Sequence, residues 1–218
     1  MRKEFYYIDG EIVDPASRNR YEFDIFSFYA MMQIDTLDDY TFPRKGFFLR
    51  AQADYVTNDF SYHKSFNGAE KFERNMVVSR IAIPLGRWFA FQTGFSTSTV
   101  SEDVTPPSYW FVMGGYQRYE DWIYPLEGYD LMERTGKHGW VYYLGIQYEI
   151  ISDVFITAKW NEGKAVDDIN ELYRYRDTDA AYGLSLGFRT PLGPMQAALF
   201  RKAHERDYSG YFNIGFVF

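Results

Sequence analysis

Apolar and polar residues alternate along several stretches of about ten residues. From Phe47 to Tyr55 the odd-numbered residues are apolar, whereas Arg50, Gln52 and Asp54 between them are polar. The alternation recurs in residues 140–149, 182–189 and 211–218, and more weakly in 21–34, 73–84, 88–98, 153–162 and 194–203. Because successive side chains of a β-strand point to opposite faces, this pattern predicts about nine strands. A short strand near residues 3–9, within the weakly patterned segment 1–19, makes about ten.

Short and long connections between these stretches also alternate. The short ones are residues 84–87, 150–152 and 190–194, and the long, polar ones are 57–71, 99–136, 163–179 and 203–209. Tight turns on one side and long loops on the other are typical of outer-membrane barrels. With the tight turns in the periplasm, residues 99–136 form one long extracellular loop. The apolar segment 109–113 is then predicted to be loop structure rather than a membrane strand.

The polar face of the strands favours a membrane barrel over a soluble sandwich. Many of its positions are Gly, Ser or Gln with isolated Arg and Asp, whereas a solvated face is usually rich in Lys, Glu and Thr. Strands near ten residues also fit a tilted membrane crossing. The sequence therefore predicts an all-β, antiparallel transmembrane barrel of about ten strands, as one domain of residues 1–218 in a bacterial outer membrane.

Composition changes this interpretation in three ways. The chain holds 20 Phe, 20 Tyr and 5 Trp, as expected of aromatic girdles at a membrane interface. The absence of Cys excludes thiolate chemistry, and the net charge of −7 argues against nucleic acid as a partner. The first residues lack the apolar core of a signal peptide. Since a barrel of this kind must be exported, we expect that Met1 is not the native start.

Three short motifs resemble a known family. Residues 183–194 combine a glycine-rich strand containing Gly187, then Arg189 and a Pro-Leu-Gly-Pro turn, and the last strand ends at Phe218. Upstream stand Asp-Thr-Leu-Asp-Asp at 35–39 and Phe-Pro-Arg-Lys-Gly at 42–46. In this order, across residues 20–218, they resemble the bacterial surface-antigen and barrel-assembly superfamily. The upstream motif is particularly similar to barrels that follow patatin-like phospholipase domains in Bacteroidetes-type bacteria.

The resemblance implies a sixteen-strand barrel whose long extracellular loop folds into the lumen, with five strands after it. Five predicted strands follow residues 99–136 here, so the chain corresponds to the last ten of sixteen strands or closes as a smaller barrel. Glu127, Gly128 and Tyr129 stand where the family carries an Arg-Gly-Phe or Arg-Gly-Tyr tip. Glu127 thus replaces the arginine on which the family's loop-to-wall ion pair depends. The alternate residues Phe212, Ile214, Phe216 and Phe218 suit recognition by the outer-membrane insertion machinery.

Charged residues at inward positions are predicted to pair across the interior. They are Arg50, Asp54, Arg80, Glu149, Lys159 and Arg189.

No catalytic, cofactor or metal site is assigned from the sequence. There is no Gly-x-Ser-x-Gly and no Ser–Asp dyad of a patatin-like enzyme, so any phospholipase lies outside this sequence. The histidines are His63, His138 and His204, all placed near the extracellular rim. A pair with Asp207 or Ser209 would make a rim hydrolase, but surface histidines are common and no spacing singles these out. The acids of 167–171 lack the glycine and closing glutamate of a calcium loop, which favours a solvated loop.

The sequence thus predicts a barrel that anchors, displays or translocates an attached or partner domain, such as a patatin-like phospholipase. Its partners are outer-membrane lipid, the insertion machinery and an additional N-terminal domain or partner chain. Two alternatives remain: a small channel or barrel subunit of an envelope complex, and a hydrolase at the rim.

Overall fold

A computed structural model describes residues 2–13, 20–58, 71–102, 105, 107–116 and 123–215 of the chain. The strands are β1 (Arg2–Val13), β2 (Arg20–Asp35), β3 (Gly46–Asn58), β4 (Lys71–Pro84), β5 (Phe89–Val100), β6 (Phe111–Met113), β7 (Ile123–Tyr124), β8 (Arg134–Gly136), β9 (His138–Ile151), β10 (Val154–Val166), β11 (Asp179–Thr190), β12 (Gly193–Lys202) and β13 (Tyr208–Ile214). A single turn of 3-10 helix, Pro107–Tyr109, precedes β6, and α1 (Ile169–Leu172) follows β10.

Ten long strands form one sheet in the order β1-β2-β3-β4-β5-β9-β10-β11-β12-β13, and every pairing in it is antiparallel. The predicted number of strands and their antiparallel arrangement are confirmed. Between the described residues of β1 and β13 no pairing is found, so these two strands are the edges of the sheet. No helix within the described ranges has the length and apolar character needed to cross a membrane.

The two ends of the sheet differ in their connections. Residues 85–88, 152–153 and 191–192 join strands at one end, which we call the tight-turn end. Residues 101–137 and 167–178 join strands at the opposite, long-loop end. The connection 36–45 between β2 and β3 also lies at the tight-turn end but is ten residues long.

The outer face of the sheet is apolar and exposed. On β9 the even-numbered residues from Leu144 to Ile150 are exposed. The odd-numbered residues Val141, Gly145 and Gln147 are buried. Other strands repeat this pattern, with exposed outward residues that include Phe28, Met32, Phe47, Tyr55, Ile81, Phe89, Phe95, Ile156, Tyr182, Leu184, Leu199 and Phe212. Such a surface is stable against lipid rather than water, which agrees with the membrane barrel predicted from the alternation.

Hydroxyl groups that interrupt this outer face are satisfied locally. Thr93 donates to the carbonyl oxygen of Tyr143 at 2.8 Å, and Thr97 donates to that of Gly139 at 2.7 Å. Both bonds cross from β5 to β9. Since lipid offers no hydrogen-bond partner, these bonds let threonine occupy an outward position without an unpaired donor.

The long connection between β5 and β9 contains a second, smaller sheet in the order β7-β6-β8. β6 pairs with β7 in parallel and with β8 in antiparallel fashion. Phe111, Met113 and Leu126 in this region have no exposed surface. They share a core with Phe48 and Val141 of the main sheet, so the connection packs against the inner face. The segment 109–113 is therefore not a membrane strand, in agreement with the sequence prediction.

Candidate functional site

Glycines of the main sheet form recesses that receive the long connection, whose described residues 105, 107–116 and 123–136 we call the inner loop. A Cβ atom added at Gly139 of β9 would overlap the ring of Phe111. One added at Gly163 of β10 would lie 2.8 Å from the sulfur of Met113. The inward glycines seen in the sequence pattern thus provide the space in which β6 lies against the wall.

The tip of the inner loop, residues 127–129, is held by hydrogen bonds to β10 and β13. Asn161 donates to the carbonyl oxygen of Glu127 at 3.2 Å. The backbone N–H of Gly128 donates to the hydroxyl of Tyr211 at 3.1 Å, and that hydroxyl donates to the carbonyl oxygen of Tyr129 at 3.0 Å. Gly128 has φ 105° and faces Ala181 of β11, so both its conformation and its close approach favour glycine. The structure therefore assigns these tip residues to loop docking.

Glu127 forms an ion pair with the wall. Its Oε1 accepts from Nζ of Lys159 on β10 at 2.6 Å, and the exposed fractions of the two side chains are 8% and 20%. Lys159 Nζ also lies 4.9 Å from the centre of the Tyr143 ring. The resemblance implied an arginine on the loop, whereas here the loop supplies the carboxylate and the wall supplies the cation. A loop-to-wall ion pair is thus present with the opposite polarity.

Two further ion pairs join the inner loop to the wall nearer the long-loop end. Glu133 accepts from Lys202 of β12 at 2.9 Å, and Arg134 donates to Asp179 of β11 at 2.9 Å. Burial raises the pKa of Glu133, but hydrogen bonds from the Asp130 N–H and from Lys202 outweigh it and hold that pKa below its usual value. The carboxylate is therefore charged at neutral pH, which keeps this contact intact.

The connection between β2 and β3, residues 36–45, crosses the lumen and is called the strap. Its Phe42 is 2% exposed and stacks on Phe155 of β10 with ring centres 4.7 Å apart. A Cβ atom added at Gly187 of β11 would overlap the Phe42 ring. The strap carbonyl of Pro43 accepts from Gln92 of β5 at 2.7 Å. Gly187, chosen from the family motif, is thus the recess for the strap.

Ion pairs fasten the strap to β9 and β11. Arg189 of β11 donates to Asp39 of the strap at 2.8 Å and to Asp153 at 2.6 Å. Arg44 of the strap donates to Glu149 at 2.5 Å. Burial raises the pKa of Asp39, but hydrogen bonds from the N–H groups of Phe42 and Thr41 and from Arg189 together lower it below its usual value.

We expect acid to loosen the strap. Because the folded-state pKa of Asp39 is lowered, its stabilising effect is complete above its unfolded pKa of about 3.9 and is lost as the pH falls through the folded pKa. The melting temperature should therefore fall more steeply below about pH 4 in the wild type than in Asp39→Asn. Glu102→Gln, at an exposed position of the long-loop end, is the control and should keep the wild-type slope. Equal slopes for Asp39→Asn and the wild type would contradict the assignment.

The other inward charges contact residues of neighbouring strands or of the strap. Asp54 does not pair across the interior but with Arg74, its cross-strand neighbour on β4, at 2.7 Å. Arg50 donates to Gln33 at 2.9 Å. Arg80 lies over two rings, with its guanidinium carbon 4.6 Å from the centre of Tyr40 and 5.1 Å from that of Phe48. The length and direction of a long side chain decide which partner it contacts, and the alternating pattern does not contain that information.

The last strand presents Phe212 and Ile214 on the outer face, where they are 69% and 56% exposed. Phe216 and Phe218, the other two residues of the proposed insertion signal, lie outside the described residues. The signal therefore remains a prediction.

The residues considered for catalysis or metal binding occupy separate places. His138 is buried at the start of β9, His204 is exposed between β12 and β13, and His63 lies outside the described residues. Ser209 donates to the carbonyl oxygen of Gly128 at 3.1 Å, so it serves loop docking. In the 167–171 segment, Asp168 caps α1 by accepting from the N–H of Asn170. Within the described part of the chain, no three His, Asp or Glu side chains could jointly hold a metal ion.

Sequence reasoning missed the residues that receive the inner loop. Tyr211 binds the tip of the inner loop, and Lys202 binds Glu133 nearer the long-loop end. In the sequence, both are ordinary inward residues of their strands. Their inward position on the alternating pattern was the only signal, and it does not identify the partner.

Comparisons with known proteins identify the family of the chain and a solved structure with a similar fold. The sequence matches the OMP85 superfamily over residues 10–218. The fold is similar to the crystal structure of BamA from Haemophilus ducreyi lacking POTRA domains 1–3, with a TM-score of 0.68 and 12% identity. That alignment covers 93% of this chain and 44% of the BamA chain, so this chain spans less than half of its length. A search of the curated proteins found no significant match. The barrel is one of the bacterial outer membrane, and the chain belongs to the OMP85 superfamily.

Proposed function

We propose that this chain is the plugged, membrane-embedded part of a larger outer-membrane protein or complex, where it anchors and translocates an attached or partner domain. The observation that carries the proposal is the inner loop, which occupies the lumen and is fastened to β10, β11 and β12 by three ion pairs. The strap crosses the lumen at the tight-turn end. An anchor with a gated interior needs such fastenings, whereas a simple open channel does not.

The sheet edges support completion by further strands. β1 and β13 are not paired with each other in the described residues, and an open edge in lipid leaves backbone donors and acceptors unsatisfied. The BamA chain to which the fold is similar is more than twice as long as the part aligned. Additional strands from attached sequence or from a partner chain would close the barrel.

The attached domain is proposed from the resemblance of residues 35–46 to barrels that follow patatin-like phospholipases. A hydrolase of that kind would supply its own serine and aspartate, because this chain lacks the motif. In this proposal the chain itself is not an enzyme, and lipid hydrolysis at the membrane surface belongs to the domain that it carries.

The intact mass of the native protein, extracted from outer membranes, tests the proposal. A mass several times larger than 25.8 kDa, or a stable complex with a second chain, is expected. A mass near 25.8 kDa with no partner, combined with steady ion conductance in planar bilayers, would instead identify a small channel. Lipid hydrolysis by the intact protein, lost when the attached serine is replaced, would support the patatin-like domain.

A further inference from the structure

Between the inner loop and the strap lies a cavity of the lumen that we call the chamber. Its volume is about 520 Å³. Tyr40 and Thr41 of the strap line one end, and Tyr124 and Glu127 of the inner loop line the other. The wall between them carries cationic side chains, so the chamber has the size and chemistry of a small-ligand site.

The cations of the chamber differ in how their charge is balanced. Lys159 is paired with Glu127 at 2.6 Å. Arg80 has neither a carboxylate partner nor a hydrogen-bond acceptor among the described residues, and its guanidinium lies over the rings of Tyr40 and Phe48. Within the described part of the chain, the charge of Arg80 is therefore not balanced by a carboxylate.

Ring contacts leave the hydrogen-bonding capacity of Arg80 unused. A guanidinium carries five N–H donors in its plane, and a ring beneath it interacts with the charge rather than with those donors. The rings of Tyr40 on the strap and Phe48 on β3 also restrict where the group can lie. A fixed, planar set of donors matches two oxygens of a carboxylate or phosphate.

The surroundings of Arg80 favour an anion at this end of the chamber. The guanidinium carbon of Arg50 lies 5.9 Å from the same Phe48 ring, so a second cation is near. Of the two carboxylates in the lining, Glu127 already binds Lys159, and Asp35 on β2 is separated from Arg80 by the intervening strand β3. Net attraction for an oxyanion is therefore strongest beside Arg80.

We propose that the chamber is a binding site for an oxyanion, a phosphate or carboxylate group, held by the guanidinium of Arg80. The proposal does not depend on the identity of the attached domain. Inorganic phosphate and the phosphate of an anionic lipid headgroup share this chemistry, so the test has an arm for each source.

The first arm measures the melting temperature of the full native protein in detergent while inorganic phosphate replaces chloride at constant ionic strength. A saturable rise is expected for the wild type. Arg80→Gln should weaken the apparent affinity at least about tenfold, because the paired donors are lost, and Arg80→Lys should weaken it less. Arg174→Gln is the matched control, since Arg174 is exposed at α1 and pairs with Glu171.

The second arm repeats the measurement in phosphatidylcholine vesicles with and without phosphatidylglycerol. A stabilisation by the anionic lipid that requires Arg80 would identify a headgroup as the source. If Arg80→Gln does not fold, Arg80→Lys and the control still provide the comparison. Absence of an Arg80-dependent response in both arms, or equal responses in the Arg80 variants and Arg174→Gln, would overturn the proposal.

Discussion

Replacing Lys159 by glutamate is expected to destabilise the protein by about 3–5 kcal/mol, which is the range for breaking a buried ion pair. The variant would place two carboxylates where Glu127 and Lys159 now lie 2.6 Å apart. We expect the lower part of that range, because a fifth of the Lys159 side chain is exposed. The melting temperature in detergent measures the loss, and limited proteolysis of the inner loop shows whether the tip has left the wall.

The double variant Glu127→Lys, Lys159→Glu restores opposite charges and should recover more than half of the lost stability. Arg174→Glu is the control for reversing a charge in an exposed pair, and its effect should stay below about 1 kcal/mol. If Lys159→Glu costs no more than Arg174→Glu, or if the double variant is no better than the single one, the pair does not hold the loop.

Gly139→Ala is expected to push β6 from the wall and to raise ion conductance in planar bilayers. The added Cβ would overlap the ring of Phe111, which is fully buried and stacks on Tyr124 with ring centres 4.5 Å apart. A ring enclosed in this way has little room to turn, so overpacking of about 1–3 kcal/mol is expected. Conductance and melting temperature should change together, since the same contact fills the lumen and stabilises the fold.

Gly145→Ala is the matched control for this substitution. Gly145 also faces inward on β9, but a Cβ there would lie 3.5 Å from its nearest neighbour, the carbonyl oxygen of Ala158. It should behave like the wild type in both measurements. The same conductance for both variants would show that the recess at Gly139 does not control the position of the loop.

The ten strands could be predicted because their signal is local. Alternation between Leu144 and Ile150, for example, is contained in one strand and needs no partner to be recognised. The contacts of the strap could not be predicted in this way. Its motif contributed to the family resemblance, but nothing in residues 36–45 indicates that Phe42 reaches Gly187 on β11. That contact depends on the curvature of the whole sheet.

The inner loop shows the same limit of prediction from the sequence. Glu127 was recognised as a departure from the family pattern, and Lys159 as an inward cation. Their pairing could not be predicted, because it depends on where the small β7-β6-β8 sheet positions the tip against β10. An ion pair with reversed charges keeps the attraction but has a different residue at each of the two positions. A comparison with the family motif therefore detects only a mismatch.

The strap also constrains the order in which the barrel can be assembled. Arg44 meets Glu149 across 105 residues of sequence, and Arg189 meets Asp39 across 150. Contacts between residues so far apart form late, since the intervening chain must first be arranged. Until β11 has joined the sheet, Asp39 has no Arg189 to bind and Phe42 has no recess at Gly187. A nascent barrel that has inserted β2 to β9 can therefore form the Arg44–Glu149 pair but not the Asp39–Arg189 pair, and the fastening of the strap at the tight-turn end is completed only when β11 joins the sheet.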